Sequence, residues 1–324
     1  MSNYTDPLLN SIATRLADSD PGIRRVAVLD LVDSPEDEAV ELLIKALSDE
    51  DETVRMEAAK VIDEFDPRDM MDALVKALTS PDENVQNAAA NALADLKDPS
   101  AAPALIEALK ADDDPFVVTA ILRSLKQLRI KEARPLALGL LTSADEGVRR
   151  ESVSLLGYLQ EVENLPQLKS TAANDPAPEV RRTAIGALVF ASAELVGQAL
   201  IDGLKDENWQ VRVEAAKGIG RLSVTIGADA LVGATEDSMW QVQEKAAEAI
   251  GKIGAVSAIP ALLKCVTNPI SNLRKASVAA VGEIAHPDGL PVIAIALEDN
   301  DPDVRKLARW ANEQILAKSK SVEG

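Results

Sequence analysis

The residues of this chain best suited to recognition chemistry are few, and they recur in step. Tryptophan occurs three times in 324 residues, and two of the three, Trp209 and Trp240, lie 31 apart in near-copies of one segment, Asn208-Trp-Gln-Val-Arg212 and Met239-Trp-Gln-Val-Gln243. An indole offers a large apolar face and one N–H donor, so two in register would stack on a flat ligand or hold a partner's side chain. Met239 and Ile270 hold equivalent positions in neighbouring copies and extend the strip to Trp209, Met239, Trp240 and Ile270. A second group is cationic: Arg123, Arg150, Arg181, Arg182 and Arg212, with Lys126 near them by position. Forked guanidinium groups of this kind bind carboxylates or phosphates. Glu151, Glu179 and Glu214 stand close enough in sequence to balance them as ordinary solvated pairs, and both readings are open.

The residues of nucleophilic and metal chemistry are scarce. One His, His286, and one Cys, Cys265, cannot supply the three or four N/S ligands of a usual zinc site. No Gly-rich phosphate loop or Gly-x-Ser-x-Gly elbow is present, and a catalytic triad would have to recruit His286 from the loop Ala285-His-Pro-Asp-Gly289. Carboxylates abound, but nothing singles out a pair for acid–base work. No catalytic residue, metal or cofactor is assigned. Cys265 aligns with Ala46, Ala77 and Ala108 and reads as a small packing residue.

The net charge of −19 argues against a nucleic-acid backbone or an anionic membrane as a general partner. The field is uneven, because residues 1–110 carry −14 of it. A single Cys excludes an intrachain disulfide, and the start Met1-Ser-Asn-Tyr-Thr-Asp-Pro7 lacks the basic segment of a secretory leader. No run approaches the roughly 20 apolar residues that cross a bilayer. The expectation is a cytoplasmic monomer whose partner is another protein.

The elements that must carry these residues follow from self-similarity. An apolar anchor recurs at Ile23, Val54, Val85, Val117, Val148, Val180, Val211, Val242, Leu273 and Val304, always 31 or 32 apart. Four residues on stands a small residue in nine copies, Ala or Ser, with Ile121 in the fourth, and eight on an apolar one except at Asn312. Positions 0, 4 and 8 share one face of a helix, and the small middle residue admits a close neighbour. Three residues before the anchor stands Asp20, Asp51, Asp82, Asp114, Asp145 or Asp301, or Asn208, each an N-cap. A preceding helix carries Pro103, Pro260 or Pro291 in its first turn, where no backbone donor is lost. Each unit is a helical hairpin too small to bury its own apolar face, so the units must stack.

The pattern Asp-x-x-Val-Arg-x-x-Ala-Ala at this period resembles HEAT repeats over residues about 8 to 318. The resemblance implies an all-α fold, a right-handed α-solenoid of about ten repeats, with 1–324 a single solenoid. It also implies that second helices line a concave face, and that the cap Asp and the Arg after the anchor form a ladder between repeats. Asn312 and the polar tail from Lys318 to Gly324 fit a solvated last repeat, and Trp310, six after its anchor, falls on the inner face. A HEAT-repeat hydroxylase family binds iron through paired His-Glu motifs, which are missing here.

Departures from the repeat mark candidate function. The capping acid is replaced in four consecutive copies, by Ala177, Asn208, Met239 and Ile270. The next position reads Pro, Glu or Ser in eight copies and Trp in two. Two readings are open: each indole folds over its own turn, or the row is a docking strip. Asn208-Trp-Gln-Val-Arg212 also resembles the Trp-x-Val-Arg variant of E/F-type bilin lyases and relatives, some of which assist iron–sulfur assembly or phycobilisome turnover. That resemblance implies, as an alternative to a non-catalytic scaffold assisting assembly of a client, a ligand-handling protein. A bilin or other flat conjugated acid would then stack on Trp209 and Trp240, with its carboxylates on Arg181, Arg182 and Arg212.

Overall fold

A computed structural model describes residues 4, 6–34, 37–65, 67–95 and 98–323, and all regular structure among them is helical. The helices come in pairs. They are α1 (Pro7–Leu16), α2 (Pro21–Leu29), α3 (Asp37–Leu47), α4 (Glu52–Val61), α5 (Pro67–Ala77), α6 (Glu83–Asp95), α7 (Ala102–Ala111), α8 (Pro115–Gln127), α9 (Arg134–Leu140) and α10 (Glu146–Leu159). They continue as α11 (Leu165–Asn174), α12 (Pro178–Leu188), α13 (Ala193–Gly203), α14 (Trp209–Arg221), α15 (Ala228–Ala234), α16 (Trp240–Lys252), α17 (Ile259–Cys265), α18 (Ser271–Ile284), α19 (Leu290–Leu297) and α20 (Pro302–Glu323).

The chain divides into two compact units, Met1–Leu159 and Gln160–Gly324. Each is two-layered, because first helices pack on first helices and second on second. In the first unit α1 lies on α3, α3 on α5 and α5 on α7, while α2 lies on α4, α6 on α8 and α8 on α10. In the second, α12, α14, α16, α18 and α20 follow one another in contact, with α11 against α13 and α17 against α19.

The repeat pattern explains the core. The residue four after the anchor is fully buried in all ten copies, from Ala27 to Ala308. Where it is Ser, the hydroxyl is satisfied within its own helix: Ser152 donates to the Val148 carbonyl and Ser277 to that of Leu273. Anchors from Val117 onward are buried, but Ile23 is 39% exposed and Val85 is only half-buried. Ile23 thus departs from the expected pattern, being in the first hairpin, where no earlier second helix is described to cover it.

Second helices approach most closely where glycine stands nine after the anchor, at Gly220, Gly251 and Gly282. A Cβ on Gly251 would lie 2.7 Å from the Ala280 Cα, and one on Gly282 would run into the Trp310 ring. Trp310 therefore packs against α18 at Gly282 while keeping 38% of its surface open. The tail is less detached than the sequence suggested: α20 runs on to Glu323, and Lys318 Nζ donates to the Ile284 carbonyl at the end of α18 at 3.0 Å.

The turn inside each hairpin is fixed by a residue outside the anchor-and-cap pattern. Five before the anchor stands Asp, Asn or Ser in every copy, and its side chain accepts from the N–H two residues on. The pairs run Asp18–Asp20, Asp49–Asp51, Ser80–Asp82, Asp112–Asp114, Ser143–Asp145, Asp175–Ala177, Asp206–Asn208, Asp237–Met239, Asn268–Ile270 and Asp299–Asp301. The side chain three before the anchor then caps the helix from Asp20, Asp51, Asp82, Asp114, Asp145, Asn208 and Asp301. Ala177, Met239 and Ile270 make no side-chain cap, as their types require. Their helices still start on time because the earlier turn residue is intact.

The same residue corrects the expected ladder. Arg24, Arg181, Arg212 and Arg274 reach the carboxylates of Asp49, Asp206, Asp237 and Asp299 in the following repeat, at 2.6–2.9 Å; the cap Asp is not the partner. Each arginine also donates back to two carbonyls of its own turn, as Arg181 does to Asp175 and Pro176. Where the arginine becomes Gln243, the amide keeps the bond to the Asp237 carbonyl, and the next turn residue is the neutral Asn268.

Candidate binding surfaces

The strip of the second unit lies at the starts of α14, α16 and α18. Trp209 and Trp240 are the first residues of their helices, preceded by Asn208 and Met239, and Ile270 precedes α18. Trp240 and Ile270 are each 36% exposed, whereas Trp209 and Met239 are half-buried. The row is neither fully folded down nor standing free. Leaving apolar side chains partly in water forgoes burial worth roughly 1.5–3 kcal/mol for a complete side chain, so an exposed row invites a cover.

Ladder chemistry removes two arginines from the expected anion site. Arg181 is 5% exposed and places all five N–H groups: Nε and one Nη2 bond on Asp206, another Nη2 bond on Glu207, and Nη1 on the Asp175 and Pro176 carbonyls. Its pairing with Asp206 raises the guanidinium pKa further. Burial pushes the Asp206 carboxyl upward, but the Arg181 bonds and the Asn208 N–H outweigh it and hold it below the usual range. Arg212 is committed in the same way to Asp237 and to the Asp206 and Glu207 carbonyls. Neither is open to a ligand carboxylate. Arg182, more exposed, pairs with Glu179 on its own helix at 2.7 Å.

Arg123 and Arg150, in the first unit, are a different case. Both point to Oε1 of Glu151, at 3.4 and 3.6 Å, and Lys126 Nζ approaches Oε2 at 3.3 Å and the Ser154 hydroxyl at 3.3 Å. The Glu151 side chain is 9% exposed, those of Arg123 and Arg150 47% and 36%. Just beyond α8, Arg129 lies over the Tyr158 ring, 4.9 Å from its centre. The sequence offers these cations directly, but Glu151 only as one of several solvated partners. Its burial and its shared role depend on α8 lying against α10, which the chain order alone does not give.

Cys265 is buried, as its alignment with alanines implied, and burial pushes its thiol up. The His286 ring accepts from the Asp288 N–H, fixing the short turn before α19. Among the described residues no three His, Cys, Asp or Glu side chains gather as a metal site would need, and no helix is long and apolar enough to cross a membrane.

Comparison with known proteins gives a consistent fold. A family model described as HEAT repeats matches residues 7–67, 54–126, 117–189 and 197–276. Among solved structures, an engineered protein is 22% identical with a TM-score of 0.51, over 96% of this chain and 99% of that one. Kap95p, in a structure describing how its binding induces the switch loops of RanGDP to adopt the GTP-bound conformation, gives 0.58 at 14% identity, over 95% of this chain and 49% of that one. The karyopherin Kap121p bound to the extreme C-terminus of the protein phosphatase Cdc14p gives 0.53 at 16% identity, over 95% of this chain and 41% of that one. This chain thus spans about half or less of either karyopherin, and at these identities the likeness is one of fold. A comparison with curated proteins returned no match.

Proposed function

This chain belongs to the HEAT-repeat family, and from that premise we propose that it is a non-catalytic scaffold that holds an apolar segment of another protein, such as a client during its assembly. The observation that carries this reading is the row Trp209, Met239, Trp240 and Ile270. Three consecutive hairpins there replace Pro or Glu with Trp, or a capping acid with an apolar residue, and the side chains remain partly open. Losing the side-chain cap at Met239 and at Ile270 costs about 1 kcal/mol each, while Asn208 still caps α14. A sequence that keeps such costs in adjacent repeats gains something else from them. Aromatic side chains at a partly desolvated edge are where interface energy concentrates. The structure of Kap121p with the Cdc14p C-terminus supports the reading by analogy of fold, since a solenoid there holds a protein segment.

The alternative, stacking of a bilin or similar flat acid on the indoles, keeps its aromatic platform but loses Arg181 and Arg212 as carboxylate partners, leaving Arg182. Two assays separate the readings. A photo-cross-linking residue in place of Trp240 should capture the protein that co-purifies with the native chain. Addition of a bilin should leave its absorption band unshifted. A red-shifted band, with no protein captured at position 240, would transfer the assignment to the ligand-handling class.

A further inference from the structure

The first unit carries a second recognition surface, chemically unlike the first. Arg123 and Arg150 differ from the ladder arginines of the turns. Those of the ladder are buried or nearly so, and their N–H groups are taken by carboxylates and turn carbonyls. Arg123 and Arg150 are half open, and each has one long contact to a single oxygen of Glu151. A guanidinium has five N–H donors in a rigid fork, and a contact of 3.4–3.6 Å uses none of them as a proper hydrogen bond. With Lys126, three cations meet one buried carboxylate, leaving a local surplus of positive charge in a chain of net charge −19. Glu151 cannot absorb that surplus. It gathers the three cations around one carboxylate on the touching helices α8 and α10 before anything binds.

We propose that this Arg123–Lys126–Arg150 constellation docks a short acidic segment of a partner protein, its carboxylates taking the unused guanidinium N–H groups. The proposal deepens the scaffold reading, on which it rests, by giving the partner a second feature: an acidic stretch in addition to an apolar one. Charge distribution limits the occupant. The chain around this cluster is acidic, residues 1–110 alone carrying −14, which disfavours a long polyanion, whereas a run of a few Asp or Glu residues needs only the two helices. Arg rather than Lys at the two open positions also suits bidentate binding of carboxylates.

Fluorescein-labelled hexaglutamate and the full chain provide the test, by anisotropy at low ionic strength. The native protein should bind, binding should fall with added salt, and the R123Q/R150Q variant should lose about tenfold or more in affinity while melting as the native protein does. The W209E/W240E variant should bind hexaglutamate as the native chain does, so a failure of the apolar strip and a failure of this surface give different results. Several outcomes would overturn the proposal: no binding by the native chain, equal binding by R123Q/R150Q, or displacement by inorganic phosphate at the same concentration of anionic groups. Salt-sensitive self-association abolished in R123Q/R150Q would also overturn it, by making the acidic region of a second copy the occupant.

Discussion

Arg181 and Arg123 share a side chain but not an environment, and the difference sets what each substitution should do. Arg181 donates to Asp206, Glu207 and two turn carbonyls, so Arg181→Gln strips a buried carboxylate of its partner and should destabilise the protein by about 3 kcal/mol. Arg123 is half exposed with one long contact, and Arg123→Gln should stay within about 0.5 kcal/mol of the native chain. Urea unfolding of the two variants checks the contrast, and comparable losses would mean that Arg123 is structural. Much of this was readable beforehand, since the arginine after the anchor announces itself by recurrence. Its partner was missed for a physical reason. Aspartates stand two apart in several turns, as at Asp18 and Asp20 or Asp49 and Asp51, and both can satisfy backbone N–H groups. Only the position of the next hairpin shows which one the guanidinium reaches. The openness of Trp240 was equally hidden, because exposure depends on the packing of neighbouring turns.

Helices in the second unit are spaced by what they lack. Gly220, Gly251 and Gly282 let successive second helices approach, and the tolerance differs along the row. At Gly251 an added Cβ meets the Ala280 backbone at 2.7 Å, whereas at Gly220 the nearest backbone atom, the Ala249 Cα, is 3.1 Å away. Gly251→Ala should therefore cost about 1–3 kcal/mol, as overpacking does, and Gly220→Ala clearly less. Thermal unfolding of the pair gives the order. The helix ends offer the opposite opportunity: Ala285 sits at φ 50°, and its N–H bonds the Val281 carbonyl, a left-handed stop that glycine adopts without strain. Ala285→Gly should stabilise by up to about 1 kcal/mol. The sequence made the helices and their periods plain, but not this stop. Of the second helices that end in a left-handed residue, one has Gly254 and the others Arg129, Gln160, Ser223 and Ala285, so the usual marker is mostly absent.

At the scale of the whole chain, acid should act through the turns. Asp206, Asp237, Asp299 and Asp301 are all held below the ordinary carboxylate range, Asp299 chiefly by Arg274 and Asp301, at about 2, chiefly by Ser271. A carboxylate with a depressed folded-state pKa stabilises fully above its unfolded value, near 3.9, and that contribution disappears as pH falls through the folded value. Stability should thus hold down to about pH 5 and fall progressively from there towards pH 2. Asp206→Asn with Asp237→Asn should give a less stable protein whose urea midpoint depends less on pH across that window. A native midpoint that is flat from pH 5 to pH 2.5 would contradict the ladder as a source of stability.

The central claim, that the tryptophan row is a working surface, is met most directly by one double variant, W209E/W240E, with melting temperature and partner binding measured on the same preparation. Glu is the residue that three other hairpins carry at this position, at Glu52, Glu83 and Glu146, so the backbone accepts it there. The account predicts an essentially unchanged melting temperature and a loss of partner affinity of about 2 kcal/mol or more, roughly thirtyfold. A lowered melting temperature with undiminished binding would contradict it, and would return both indoles to the packing of their own turns.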